Sequence, residues 1–192
     1  MLTGDELSAA LASLPILAQS GVAYRLIHAK YAGSALSSIG SLKFGGRYNP
    51  SQAFEALYLA SNPVTALQEV NAVVQTEVGL LGIKGPPRIL LSVDYQLQAI
   101  LDICHPESQS VLETNLSELI APWRPLNAEG QMAPTQTLGS AAYNLQSIEA
   151  LKVPSARDPN TYNLVVFVNR LSSDNSFLRV YDDSGIIDAR LP

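Results

Sequence analysis

Residues 44–69, FGGRYNPSQAFEALYLASNPVTALQE, constrain the fold of this chain more than any other stretch. Gly45 and Gly46 let the backbone take positive φ or come close to another group. Arg47, directly after them, carries a planar donor fork suited to a phosphate. Residues 56–60 form a short apolar run that predicts a buried strand carrying Tyr58. Ser61, Asn62 and Pro63 break that run and supply helix-starting chemistry. The spacing then predicts a helix over 64–74, with Leu67, Val70 and Val74 on its apolar side. Glu69 would lie mid-helix, where a carboxylate has no capping role. A cation, two tyrosines (Tyr48 and Tyr58) and an acid at fixed spacing suit a phosphate-bearing aromatic ligand, with a dinucleotide the foremost candidate.

Composition narrows the class. A chain of 192 residues fits one domain able to bury a core. Charged residues are 15% and apolar residues 47%, the balance of a globular protein and not of a disordered one. The formal net charge is -5 and no Lys/Arg cluster appears, which speaks against direct nucleic-acid binding. Cys104 is the single cysteine, so no internal disulfide is possible. His28 and His105 make no zinc-ligand pattern with it, and no metal is expected. The first residues carry no basic start before a long apolar run, so no secretory leader is expected, and no window has the length of a membrane span. A cytoplasmic, metal-free protein is the simplest expectation.

Thr3 and Glu6 predict a capping box opening a helix with Leu7, Ala10, Leu11 and Leu14 on one face, closed by Pro15 and Gly21. This gives an N-terminal helical segment, residues 1–20, packed on a domain of residues 21–192. Strands are expected at 22–29, 88–94, 150–153 and 163–168, with one or two short edge strands over 177–187 and a turn at 182–185. Loops are expected at 31–40 and 79–87, a helix at 108–119, and a Pro-rich turn around Trp123. Residues 135–148 predict a helix interrupted near Gly139. Strands and helices mixed without regular alternation favour an α+β domain over a doubly wound sheet.

The order of motifs resembles the RES domain family, named for an arginine, a glutamate and a serine. Tyr24-Arg25 is similar to the family's aromatic-Arg opening. Gly45-Gly46-Arg47-Tyr48-Asn49 stands where members usually show Gly-Gly-Arg-Trp-Asn, so Tyr48 departs from the usual tryptophan. Tyr58 and Ala66-Leu67-Gln68-Glu69 follow, the latter similar to the family's Ala-x-x-Glu helix. Thr137-Leu138-Gly139, Val153-Pro154-Ser155-Ala156 and Tyr162-Asn163-Leu164 match in order and rough spacing. Asn169-Arg170 departs from a frequent Asn-Pro.

The resemblance implies an ADP-ribosyltransferase-like fold: a single α+β domain with a mixed, split β-core, flanking helices and an NAD cleft. It implies a bacterial toxin of a toxin–antitoxin pair that breaks the nicotinamide–ribose bond of NAD, with NAD as substrate and no cofactor. The partner it implies is an Xre-like helix-turn-helix antitoxin, with a homodimer possible inside that complex. Arg47 would bind the NAD pyrophosphate and Glu69 would favour the bond-breaking transition state. Ser155 would hydrogen-bond the ligand, without acting as a covalent nucleophile. Tyr48 would hold the nicotinamide end. Tyr58 is either a core aromatic or a ring stacked on nicotinamide. Arg25 is either a strand-end arginine paired to a carboxylate or a second phosphate or ribose contact. Water, inorganic phosphate or a protein side chain as acceptor would make the protein a glycohydrolase, a phosphorolytic enzyme or a mono-ADP-ribosyltransferase. A non-catalytic NAD-binding or interaction module is the rival reading from another class. Cys104, His28, His105 and Trp123 carry no motif.

Overall fold

The structure, a computed structural model, describes residues 1–171 and 174–192. In chain order the elements are α1 (Gly4–Ser13), β1 (Ile16–His28), a 3-10 turn (Ala29–Ser34), α2 (Ile39–Phe44), β2 (Leu57–Ala60) and α3 (Pro63–Glu69). There follow β3 (Val73–Thr76), β4 (Gly79–Gly82), β5 (Arg88–Asp102), α4 (Pro106–Val111), α5 (Leu116–Ile120), α6 (Arg124–Ala128) and α7 (Pro134–Asn144). The chain ends with β6 (Ala150–Pro154), β7 (Tyr162–Val166), a second 3-10 turn (Val168–Arg170), β8 (Phe177–Tyr181) and β9 (Asp188–Leu191).

Two long strands form the spine: β1 and β5 pair antiparallel from Ile16↔Leu101 to His28↔Arg88. From there β1 pairs with β2, β2 with β7, β7 with β6, and β6 with β5, so the five strands close on one another. β5–β6 is a parallel pair in an otherwise antiparallel ladder, which makes the sheet mixed. β8 joins β5 beside β6 and carries β9 outward. Closure of this kind leaves few open strand edges.

Strand periodicity sorts the core into two clusters. Along β7, Val165 points to one side with Leu151, Val153, Leu101 and Ile103, where Leu7 and Leu11 of α1 and Leu138 and Ala142 of α7 pack. Leu164 and Val166 point to the other side with Leu57, Leu59, Val93, Leu97 and Leu178. Both faces of β7 are buried, which explains its unbroken apolar run. Phe54 stacks on Tyr143 at 4.2 Å between centroids, and both meet Phe167 edge-on, fixing α7 against the sheet.

Several expected boundaries move. The Thr3 side chain makes no capping hydrogen bond, so the capping box does not form, although Leu7 and Leu11 are buried as the periodicity requires. The first strand starts at Ile16, within the segment expected to be helical, because Pro15 ends the helix and the long β5 offers it a partner. The helix expected over 64–74 stops at Glu69. Asn71 there takes φ +52, and the β-branched Val73 and Val74 enter a hairpin whose second strand occupies part of the expected 79–87 loop. Val70 and Val74 are consequently exposed, not on an apolar helix face. The helix expected over 108–119 is two short helices, divided where Glu113 takes φ +48 and Asn115 caps the second.

Gly139 does not interrupt α7. It lies inside a continuous helix, and a Cβ there would sit 1.8 Å from the Tyr48 carbonyl oxygen. The glycine is present for close approach of backbone to backbone. Gly139→Ala is therefore expected to destabilise by about 3 kcal/mol through forced separation of α7 and the Tyr48 loop. For a chain of this size that is roughly 6–12 °C in melting temperature. Gly33→Ala, with nothing within 4 Å of its Cβ, is the control and should melt near the parent. Thermal denaturation of both variants checks the contact; equal melts would show that the loop and helix are not so closely packed.

Candidate functional site

One cleft, of about 710 Å³, collects most of the sequence motifs. Its walls include Tyr24 and Arg25 of β1, Gly45 to Arg47, Tyr58 of β2, Glu69, Ile120, Pro122, Trp123 and Arg124, Arg157, and Asn163 of β7. That volume is in the range of small-molecule sites.

The Gly-Gly-Arg loop is held from several sides. Gly45 takes φ +71, and the Gly46 amide donates to the Asn49 carbonyl at 2.8 Å. A Cβ on Gly46 would lie 2.5 Å from the Tyr58 hydroxyl, so only glycine lets the loop lie on that ring. The Tyr58 hydroxyl accepts from the Tyr48 amide at 3.0 Å and donates to Asn49 Oδ1 at 2.8 Å. Asn49, fully buried, donates through Nδ2 to the carbonyls of Ser41 and Phe54. Gln136 of α7 donates to the Gly46 carbonyl at 3.0 Å. Burial of Tyr58 pushes its phenol pKa up, so it stays a neutral donor.

Arg47 is thereby aimed into the cleft. Its Nη1 donates to the carbonyls of Leu119 (3.3 Å) and Ala121, which ties the loop to the end of α5. Burial lowers its pKa; the nearby Tyr48, Glu69 and Tyr58 oppose that shift. Arginine remains charged in this setting. Arg25 faces the same cleft but is engaged elsewhere. Its Nη1 and Nη2 donate to the carbonyls of Ala35 (2.9 Å) and Ser37 (2.8 Å), and burial lowers its pKa to about 10. No carboxylate pairs with it among the described residues. It braces the segment leading into α2.

Tyr48 does not present its ring to the cleft. The side chain is 1% exposed and belongs to the core cluster under α7, with its hydroxyl unpartnered among the described residues. An aromatic at this position is a packing group, and its backbone amide and carbonyl are what shape the site.

Glu69 closes α3, a helix started by Asn62, whose Oδ1 accepts from the Thr65 amide at 2.9 Å, and by Pro63. Its Oε1 accepts from Ser155 Oγ at 2.7 Å and from Asn163 Nδ2 at 2.6 Å. No described residue hydrogen-bonds to Oε2. Ser155 is fully buried, and its Oγ also accepts from the amides of Arg157 (3.1 Å) and Asp158 (3.3 Å). The serine expected to touch the ligand thus holds the glutamate instead and lies behind the cleft wall. Asn163 donates to Glu69 while its own Oδ1 is buried without a partner.

The cleft lining carries four arginines, Arg25, Arg47, Arg124 and Arg157, against one carboxylate, Glu69. A positive site on a chain of net charge -5 favours an anionic ligand. Sequence reading gave no role to Asn163, Trp123, Arg124 or Arg157. The Asn163 motif was visible, but its partner is 94 positions away and only the sheet brings them together. Cys104 lies off the cleft, beside Asp102, which accepts from its amide; burial pushes its thiol up to about 12, so it is no nucleophile near neutrality. Among the described residues, no group of His, Cys, Asp and Glu is arranged to hold a metal, and no helix is long and apolar enough to cross a membrane.

No curated protein matches the chain. The fold is similar to that in the crystal structure of the M. tuberculosis MbcT–MbcA toxin–antitoxin complex: TM-score 0.67, 22% identity, 93% of this chain and 91% of that chain covered. At that identity the likeness is one of fold. The model of the RES domain family matches residues 22–179, and the protein belongs to the RES domain family.

Proposed function

We propose that this protein is a RES-type toxin that breaks the nicotinamide–ribose bond of NAD. The observation that carries the reading is a carboxylate held by two donors on Oε1, with Oε2 left open, in a cleft whose other charged lining residues are all arginines.

The chemistry asks for little more. Breaking the C1′–N1 bond leaves the electron pair on the ring nitrogen of a nicotinamide that was cationic and departs neutral, so no general acid is required. Positive charge develops at C1′ and the ring oxygen, as in other glycosyl transfers. A fixed carboxylate beside that carbon stabilises the charge without having to reorganise. Oε2 of Glu69 is the oxygen available for this, or for a ribose hydroxyl. Ser155 and Asn163 act as positioning residues, holding the Glu69 carboxylate. Arg47, by its unengaged donors, takes the diphosphate. Tyr58, in the cleft wall, keeps Arg47 in place through its hydrogen bonds to the Tyr48 amide and Asn49.

With water as acceptor, oxygen joins C1′ and one proton leaves to solvent, giving ADP-ribose. With inorganic phosphate, a phosphate oxygen joins C1′ instead. Either route depletes NAD in the cytoplasm and arrests growth. The antitoxin partner is an Xre-like helix-turn-helix protein; this rests on the family and on the toxin–antitoxin complex that shares the fold. DNA contact then belongs to that partner, in keeping with the acidic balance of this chain, and a homodimer within the complex fits the same reading.

The test is nicotinamide release from NAD by the purified protein, with and without phosphate. Glu69→Gln, which keeps the acceptor for Ser155 and Asn163, is expected to lower kcat by about 100-fold or more at an unchanged melting temperature. Ser155→Ala is expected to lower kcat about tenfold, since it loosens Oε1 without touching the ligand. Stable variants that turn over NAD at the parent rate would contradict the assignment. A phosphate-dependent rate would name phosphate as the acceptor.

A further inference from the structure

Trp123 and Arg124 have no role in the bond-breaking chemistry, yet both line the cleft. Trp123 is the only tryptophan of the chain and is half-buried at the start of α6. The Arg124 guanidinium lies 4.7 Å from the centroid of its ring. Apart from this contact with the indole, Arg124 is exposed and makes no side-chain hydrogen bond or ion pair with any described residue, so its N–H donors stay open toward the cleft.

The corner is rigidly placed. On its N-terminal side, Arg47 grips the carbonyls of Leu119 and Ala121. On its C-terminal side, Asn127 and Gln136 exchange two amide hydrogen bonds of 2.8 Å, and Gln136 reaches the Gly46 carbonyl. The Trp123 corner and the Gly-Gly-Arg loop are therefore one unit. Arg47 feels the charges of both Glu69 and Arg124. Arg47, Glu69, Trp123 and Arg124 line the same cleft, which is large enough for a ligand that reaches all of them.

We infer that Trp123 and Arg124 form the subsite for the adenosine half of the substrate, the indole stacking on adenine and the guanidinium meeting the adjacent phosphate; this rests on the NAD reading of the same cleft. Indole faces bind any purine by stacking, so the subsite holds the adenine by its π-surface and has no hydrogen-bond pattern by which to tell it from another purine. Trp123 binds and does not touch the reacting bond, so its loss falls on KM and not on kcat.

Because Trp123 is the sole tryptophan, its emission reports on this corner alone. ADP is expected to quench it saturably, and nicotinamide mononucleotide, which lacks the purine, is not. Trp123→Ala is expected to raise KM for NAD by about tenfold, within the range of stacking losses on alanine substitution, with kcat little changed. Trp123→Phe, which keeps a ring, should stay near the parent KM and separates stacking from folding. Emission unmoved by ADP, with parent KM in both variants, overturns the inference and leaves NAD cleavage standing. Quenching by nicotinamide mononucleotide and not by ADP overturns it by reversing the ligand. Quenching by ADP in a protein that releases no nicotinamide upholds the subsite and rejects cleavage.

Discussion

The Oε1 atom of Glu69 receives hydrogen bonds from Ser155 and Asn163, and the geometry of the site depends on that shared acceptor. Those residues come from three places: the end of α3, the turn after β6, and the first half of β7. A partly buried carboxylate is unfavourable unless it is hydrogen-bonded. Here the donors are themselves fixed, Ser155 by complete burial and two backbone amides, Asn163 by its position in the β6–β7 and β2–β7 ladders. The acid is thus oriented before any ligand arrives, which is the condition for electrostatic stabilisation to count at the transition state.

The opposite wall follows the same logic with backbone groups. Tyr58 lies two strands from the Ser155 turn, across β7, and its hydroxyl fixes the loop that aims Arg47. Gly45, Gly46 and Gly139 are places where that arrangement needs the absence of a Cβ, against the Ser51 amide nitrogen, the Tyr58 ring and the Tyr48 carbonyl respectively. The closed five-strand core supplies the stiffness: β2, β6 and β7 are hydrogen-bonded neighbours, so the acid wall and the arginine wall move together. Function on this reading comes from few polar groups on an apolar scaffold.

Much of this was legible in the residues. The α+β class, the strands near 150–153 and 163–168, a strand starting at 177, and the place of Gly45, Gly46 and Arg47 in one loop were visible from pattern and motif order, while the last strand lies at Asp188–Leu191, beyond the expected 177–187. Glu69 was found by its motif although its local setting was misread. Its helix ends there because Asn71 turns left-handed, a preference that hydrophobic periodicity does not see. Tyr48 and Ser155 were located but given ligand contacts, when their burial puts one in the core and the other behind the acid. Burial of a given side chain is set by tertiary packing, and the motif alone does not carry it. Trp123, Arg124 and Arg157 reach the cleft through short helices and turns with no periodic signal, and Asn163 meets Glu69 only through the sheet.

The central claim is a ligand orientation: nicotinamide riboside at Glu69, diphosphate at Arg47. A crystal structure of the Glu69→Gln variant with NAD tests it most directly. The account predicts the nicotinamide ribose against the residue-69 side chain, with Ser155 and Asn163 still bonded to it, and the diphosphate on Arg47. NAD bound outside this cleft, or with its diphosphate at residue 69 and nicotinamide away from it, would contradict the account.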